Sequence, residues 1–515
     1  MRTRPLAAAG TVLLAALAAA GCTSGSAPSS AKSAGPSAGR PTAVPAGTMT
    51  WHHCSGGQTT LCTSLTVPLN YAKPSGRKIT LALSEVPATA PASQRQGILL
   101  VNPGGPGASG LSLAGFVAQG LAPSVAARYD IIGFDTRGVG ASVPALHCDP
   151  AFFARERPAY VPRSAAAEKV LIGRARTYAA DCGKKYGWLL PYLTTANIAR
   201  DMDQIRAAAG QSRLSYFGYS FGTYLGQVYA TLFPHRVYRM VLDSTVDPTG
   251  VWWKDNIEQD YAFQGRMNAF EAWAAKADRV YHLGRTAAQV NGTWNRTLAR
   301  LAAHPVAQQA GPAIGPAEFT DTFVAAGYDN GYWPSLAAAL AGYQRGSDSQ
   351  LTTLYGQIAK TPENEFAVYN AVECADAAWP RSWSYWNSVN RRVYRSAPLE
   401  TWDNVWFNAA CAFWPVHGPA RPLRIGAPGL PGILMLQGTL DPATPYAGAQ
   451  NAHRALPTAK MVVVSGGGNH GQSLAYPPNT CVNGYLNRYL ATGALPGKPG
   501  LVNAVCPALP PPSAG

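Results

Sequence analysis

The chain has 515 residues, 47% of them apolar and 10% aromatic, enough to bury a large core and too apolar for a disordered chain. Its 42 Lys and Arg against 27 Asp and Glu give a formal charge of +15. No stripe with interleaved aromatics gathers that charge, so it reads as a solvated basic surface and argues against a nucleic-acid partner. The length calls for a core domain with a sizeable insertion or second domain.

In chain order, Arg2 and Arg4 precede the apolar run Leu6 to Ala20, which is too short for a comfortable membrane span and reads as an export signal over residues 1–21. It ends in Leu17-Ala-Ala-Ala-Gly-Cys22, which resembles a bacterial lipobox with Ala19 where Leu is usual. Cys22 is then the expected lipidation site and membrane anchor. Ordinary signal cleavage near Ala18-Ala19-Ala20 is the alternative. Thr23 to Gly47 is rich in Ser, Ala, Pro and Gly and cannot bury enough surface to fold, so residues 22–48 read as a flexible tether.

Setting Cys22 aside leaves eight cysteines, an even number suited to four disulfides in an oxidising compartment. Pairing of sequence neighbours is expected: Cys54 with Cys62, Cys148 with Cys182, Cys374 with Cys411, and Cys481 with Cys506. No C-x-x-C or His-rich spacing points to a metal.

Short apolar segments then alternate with helical ones: Ile79 to Val86, Gly97 to Val101, Tyr129 to Phe134, Leu214 to Phe217, Val237 to Leu242, Ile433 to Leu436 and Met461 to Val464. This pattern predicts an α/β fold, a mostly parallel sheet with helices on both faces and ligands at the carboxyl ends of the strands. The first such end carries Asn102-Pro-Gly-Gly-Pro-Gly-Ala-Ser-Gly110, a run able to aim a backbone N–H at a substrate oxygen. Gly105 is the expected donor and Gly104 the second choice. A phosphate loop is disfavoured because no G-K-S/T appears. Next comes Asp135-Thr-Arg-Gly-Val-Gly-Ala-Ser142, where Asp135 and Arg137 read as a salt-bridged loop pin rather than as reacting groups.

The third end holds Gly218-Tyr-Ser-Phe-Gly222 between the strand Leu214 to Phe217 and a helix from Thr223 to Phe233. A G-x-S-x-G at a strand-to-helix turn has the shape of a nucleophile elbow, which exposes Ser220 and frees the Phe221 N–H for an oxyanion. Together with Gln437 to Pro445 and Gly468 to Gly471, these motifs resemble the secreted tripeptidyl-aminopeptidase-like branch of the α/β-hydrolase fold, relatives of the proline iminopeptidases. The likeness runs from about Trp51 to Cys506, in the family's order, with Phe221 where Tyr is usual.

A serine needs a base held by an acid, and in this fold the chain order is Ser, acid, His. His470, in the Gly-rich loop after the strand Met461 to Val464, is the expected base. His304, His417 and His453 are the other late histidines, with His453 expected to face solvent on a helix. The resemblance places the acid at Asp441, after the strand Ile433 to Leu436. Asp243, after the strand Val237 to Leu242, is the runner-up, and an Asx-type turn before Pro442 is the purely structural account of Asp441.

Between Pro248 and Pro422 the alternation stops in favour of Trp, Tyr and Ala at helical spacing. The domain reading is therefore a hydrolase core over 49–249 and 423–515 with a helical cap inserted over 250–422. An aminopeptidase must reward a free N-terminal ammonium, and Glu373, which shares a helix face with Asp376, is the candidate by analogy with related iminopeptidases. A solvated helix face is the alternative. The resemblance thus implies an exported, lipid-anchored, monomeric serine exopeptidase acting on peptides without metal or organic cofactor. An esterase with the same triad, or a non-catalytic peptide-binding lipoprotein, are the competing readings.

Overall fold

The computed structural model describes residues 47–54, 60–308 and 311–514. The expected signal, Cys22 and nearly all of the tether lie outside the described residues. Among the described residues no helix is long and apolar enough to cross a membrane.

Ten strands form one sheet: β1 (His52–His53), β2 (Leu61–Pro68), β3 (Lys78–Val86), β4 (Ile98–Asn102), β5 (Asp130–Phe134), β6 (Leu214–Tyr219), β7 (Val237–Asp243), β8 (Ile433–Gly438), β9 (Ala459–Ser465) and β10 (Ala504–Pro507). Their order is β1-β2-β3-β5-β4-β6-β7-β8-β9-β10. The first three pair antiparallel, and from β5 through β10 every pair is parallel. The central strands β4, β6 and β8 are buried along their whole length. Strands covered on both faces read as continuous apolar runs, which is why they were legible. The edges were not: β1 is two exposed histidines, and β10 alternates buried Ala504 and Cys506 with Val505, which is 55% exposed.

One face of the sheet packs around Leu65, Leu100, Tyr216, Leu225 and Met435, and the other around Leu99, Val101, Phe217, Leu434 and Leu486. Between β7 and β8 the chain is helical from Trp253 to Ala412. This stretch has two parts. The helices from Trp253–Lys276 through Ser349–Leu354 surround their own core of Phe263, Phe270, Phe319, Trp333 and Leu340. The helices Glu363–Asp376, Trp383–Tyr394 and Thr401–Asn408 join the sheet's own core through Phe366, Val372, Trp386 and Trp406. All four disulfides pair sequence neighbours as expected, and Cys374–Cys411 ties this second part together.

Candidate active site

At the end of β6 the chain turns directly into the helix Phe221–Leu232, and Ser220 takes up φ 54°, ψ −128°, a conformation that costs a non-glycine residue about 1–3 kcal/mol. Surrounding contacts hold it there. The Ser220 N–H donates to the Asp243 carbonyl (3.1 Å), and the Thr223 hydroxyl donates to the Ser220 carbonyl (2.6 Å). The tight turn needs a bare Cα at Gly222, where a Cβ would stand 2.8 Å from both oxygens of Asn102. The Phe221 N–H opens the helix, so it has no carbonyl one turn behind it.

The loop after β4 lies against this turn. Gly104, at φ +107°, is so close that a Cβ would sit 2.8 Å from Ser220 Cβ and 3.2 Å from the Phe221 nitrogen. Its own N–H donates to Asn102 Oδ1 (3.1 Å), so that donor is already engaged within its loop. Asp135 fastens the far end of the loop, accepting from Ser109 Oγ (2.5 Å), Gly110 N (3.1 Å) and Ala141 N (2.8 Å). The expected salt bridge at this pin has a different partner. Fully buried Arg137 forms a two-pronged pair with Asp201 (2.6 and 2.7 Å) and donates to the carbonyls of Leu69 and Tyr192. A buried guanidinium needs a charged partner placed to accept two of its N–H groups, and Asp201 on the neighbouring helix supplies both oxygens.

His470 follows β9, and its Nδ1 lies 3.0 and 3.2 Å from the two oxygens of Asp441, which follows β8 and is 2% exposed. Asp441 Oδ1 also accepts from the N–H groups of Ala443 (3.1 Å) and Thr444 (3.0 Å), so the Asx turn and the histidine contact coexist on one carboxylate. Burial pulls the imidazole down, but the charge and hydrogen bond of Asp441, with the charge of Asp243, outweigh it and leave His470 above its ordinary value. The inserted helices hold this loop too. The His470 N–H donates to the Tyr328 carbonyl (2.7 Å), the Tyr328 ring stands 5.6 Å from the imidazole, and Asn469 binds Asp329 (2.8 Å). Asp243, the runner-up acid, faces Gln472 and Ser473. His417 is exposed in its loop. His453 departs from expectation: it is 6% exposed, its Nε2 2.8 Å from the Ala459 carbonyl, because its helix turns that face onto β9.

Glu373 does not lie on a solvated face. It is 3% exposed, with Tyr369 and Asn256 as neighbours, and burial holds its carboxyl well above the usual range. Its helix partner Asp376 points to Thr195, accepting from both the N–H (2.8 Å) and the hydroxyl (2.5 Å). Glu400 is buried in the same way, lifted by desolvation and by the charges of Asp260 and Asp403. Among the described residues, one carboxyl oxygen of Glu373 and one of Glu400 are buried without a hydrogen-bond partner. Burial, and then the charges of Glu400, Asp441, Asp403 and Glu365, push the phenol of Tyr328 up. Glu365, raised by burial to about 7, abuts the loop after β4: a Cβ on Gly107 would meet its carbonyl. Next along the chain, Phe366 lines a small aromatic crevice of about 40 Å³ with Phe152, Phe153, Tyr160 and Phe407, and Asp403 on its wall.

The family model described as the alpha/beta hydrolase fold matches residues 97–475, from β4 to the loop just past His470. The chain belongs to the α/β-hydrolase fold family. Within it, the chain is 41% identical over 444 residues to a tripeptidyl aminopeptidase of Streptomyces lividans, an alignment covering 84% of this chain and 81% of that one. It is 32% identical over 473 residues to carboxylesterase B of Mycobacterium tuberculosis (88% and 89% covered), and 30% over 472 residues to the serine protease Hip1 of the same species (85% and 86%). It is thus a serine hydrolase of the tripeptidyl-aminopeptidase-like branch. Sequence reasoning missed Glu400, Glu365 and Tyr328. The one available signal was an acid set among apolar and aromatic residues, as in Leu399-Glu-Thr-Trp402.

Proposed function

We propose that this hydrolase is a serine exopeptidase that releases short peptides, tripeptides foremost, from free N-termini. Ser220 is the nucleophile, His470 its base and Asp441 the acid that orients the imidazole, with the N–H groups of Phe221 and Gly105 as the oxyanion hole. Attack of the Ser220 hydroxyl on the scissile carbonyl passes its proton to His470 Nε2, and Asp441 stabilises the imidazolium. The proton then goes to the leaving amine, and water repeats the cycle on the acyl-enzyme.

The observation that favours an exopeptidase over other acyl-transfer chemistry is the pair of unpartnered, buried carboxyl oxygens on Glu373 and Glu400. A buried acid with no partner is costly, and a substrate ammonium supplies both the charge and the hydrogen bonds it lacks. An esterase using the same triad is the second reading, favoured by the carboxylesterase B likeness. The leader and Cys22 support export with a lipid anchor, the enzyme acting as a monomer at the outer face of the membrane.

Tripeptide amides with free and with acylated N-termini, assayed beside an aryl ester, test the reading. Turnover of free-amine peptides should vanish in Ser220→Ala. In Glu373→Gln and Glu400→Gln, KM for free-amine peptides should rise at least tenfold while ester turnover stays within about threefold. Equal cleavage of acylated and free peptides would overturn the exopeptidase assignment.

A further inference from the structure

Three segments carry the proposed triad, and all three are fastened to three consecutive residues at the end of β7. Asp243 is fully buried, and its carbonyl accepts from Ser220 N. Its carboxylate accepts from Gln472 N (2.8 Å), Ser473 N (2.9 Å) and Ser473 Oγ (2.6 Å), the residues that follow His470. Ser244, also fully buried and at φ 61°, accepts from Gly471 N through its hydroxyl (2.7 Å) and donates its N–H to the Leu436 carbonyl on β8 (2.9 Å). Thr245 N donates to Gln437 Oε1 (2.8 Å), Gln437 Nε2 donates to the Thr444 carbonyl (2.8 Å), and Thr444 N in turn donates to Asp441 Oδ1 (3.0 Å). One further tie closes the ring: the Tyr219 hydroxyl, next to the nucleophile, donates to the Ser473 carbonyl (2.9 Å).

We propose that Asp243 and Ser244 are positioning residues, a buried clamp that sets the height of His470 over Ser220 and takes no part in proton transfer. The inference rests on the triad assignment above. Without the clamp, the Gly-rich loop Gly466 to Gly471 would leave the imidazole free to swing, because glycine restrains a backbone poorly. The carboxylate is suited to the task because it alone among side chains offers two oxygens, with lone pairs enough for three donors at once. It is not a second triad acid, since Nδ1 of His470 is already held by Asp441. Its strain-bearing neighbour Ser244 resembles Ser220 in kind: both are non-glycine residues at positive φ, held there by the contacts they serve.

The test uses the full-length enzyme carrying Asp243→Asn, Ser244→Ala, Ser473→Ala or Asp441→Asn, with a peptide amide, an aryl ester and a fluorophosphonate that labels the active serine. An amide in place of the Asp243 carboxylate turns one acceptor into a donor facing N–H groups. Labelling rate and kcat should fall 10- to 100-fold with KM within twofold, equally for ester and peptide. The acid limb of the pH profile should also move to lower pH, because one of the charges that raise His470 has gone. The other charged groups that bear on this carboxyl, Asp441, His470 and Tyr219, remain in the variant. Ser473→Ala removes one bond to the Asp243 carboxylate, and Ser244→Ala removes the bond from Gly471 N and a long one (3.5 Å) to Asp243 Oδ1; each should cost three- to tenfold in kcat. If Asp243→Asn does not fold, these two decide. Unchanged kcat in both, or in a folded Asp243→Asn, overturns the clamp. A loss in Asp243→Asn as deep as that in Asp441→Asn also overturns it, making Asp243 an acid. Loss of the peptide preference alone, with the ester effects intact, would count against the exopeptidase reading and leave the clamp standing.

Discussion

Replacing Gly104 with Ala adds one methyl group to a crowded point of the site, directly against Ser220. The new Cβ would lie 2.8 Å from Ser220 Cβ, 2.9 Å from the Tyr219 carbonyl and 3.2 Å from the Phe221 nitrogen. Ordinary contact begins near 3.4–4 Å, so the two backbones must separate by roughly half an ångström or more. Neither yields cheaply. Tyr219 is paired along β6 and β7, and the loop is anchored at Asn102 and Asp135. A φ of +107° costs an alanine about 1–3 kcal/mol besides. We therefore expect the variant to lose about 2–4 kcal/mol of stability yet remain folded, given four disulfides and an intact sheet elsewhere. The displaced segment carries the Gly105 N–H, and losing one oxyanion donor typically costs about 10²–10³ in kcat. Urea unfolding together with steady-state kinetics on a peptide amide separates the two effects. Wild-type kcat in a folded Gly104→Ala would refute both the contact argument and the role assigned to this loop.

Two further outcomes concern protons. A general base must be neutral, and His470 lies above its ordinary value, so kcat/KM should be low in acid and rise with pH through a midpoint above about 6.5. Asp441→Asn should shift that midpoint downward and lower kcat by about 10⁴, and a midpoint that stays put would contradict the assigned pairing. Asp260, 1% exposed and bonded to Asn404, is raised by burial to about 7 from an unfolded value near 3.8. A carboxyl raised on folding contributes its full stability below pH 3.8 and loses it as pH climbs through 7. Asp260→Asn keeps the shape without the charge, so it should match wild type near pH 4 and exceed it by about 2–4 kcal/mol at pH 8. Parallel thermal-unfolding curves across that range would disprove the shift.

The sheet, the elbow and the triad candidates were legible because each is a local matter. A strand buried on both faces must be largely apolar, and β4, β6 and β8 read that way. A serine forced to positive φ between a strand and a helix needs small neighbours, and Gly218 and Gly222 announce it. His470 stands out because it follows a strand in a glycine-rich loop. The even cysteine count likewise needs no coordinates to suggest four bridges.

What sequence could not reach are contacts between segments hundreds of residues apart. Nothing near Arg137 names Asp201 as its partner, and nothing near His453 says that its ring reaches the Ala459 carbonyl. Helical spacing cannot tell a solvated acid from a buried one, so Glu373 and Glu400 became visible only when their helices packed. The residues after β7 look like any strand end until the β8 and β9 loops close around them. By itself the sequence determined the strand alternation, the candidate nucleophile and the chain order of its candidate partners, since these depend on local backbone geometry and hydrophobic period. The tertiary structure alone decided which carboxylates lose their water and which loops share a hub, because desolvation and cross-strand hydrogen bonds exist only once distant segments meet.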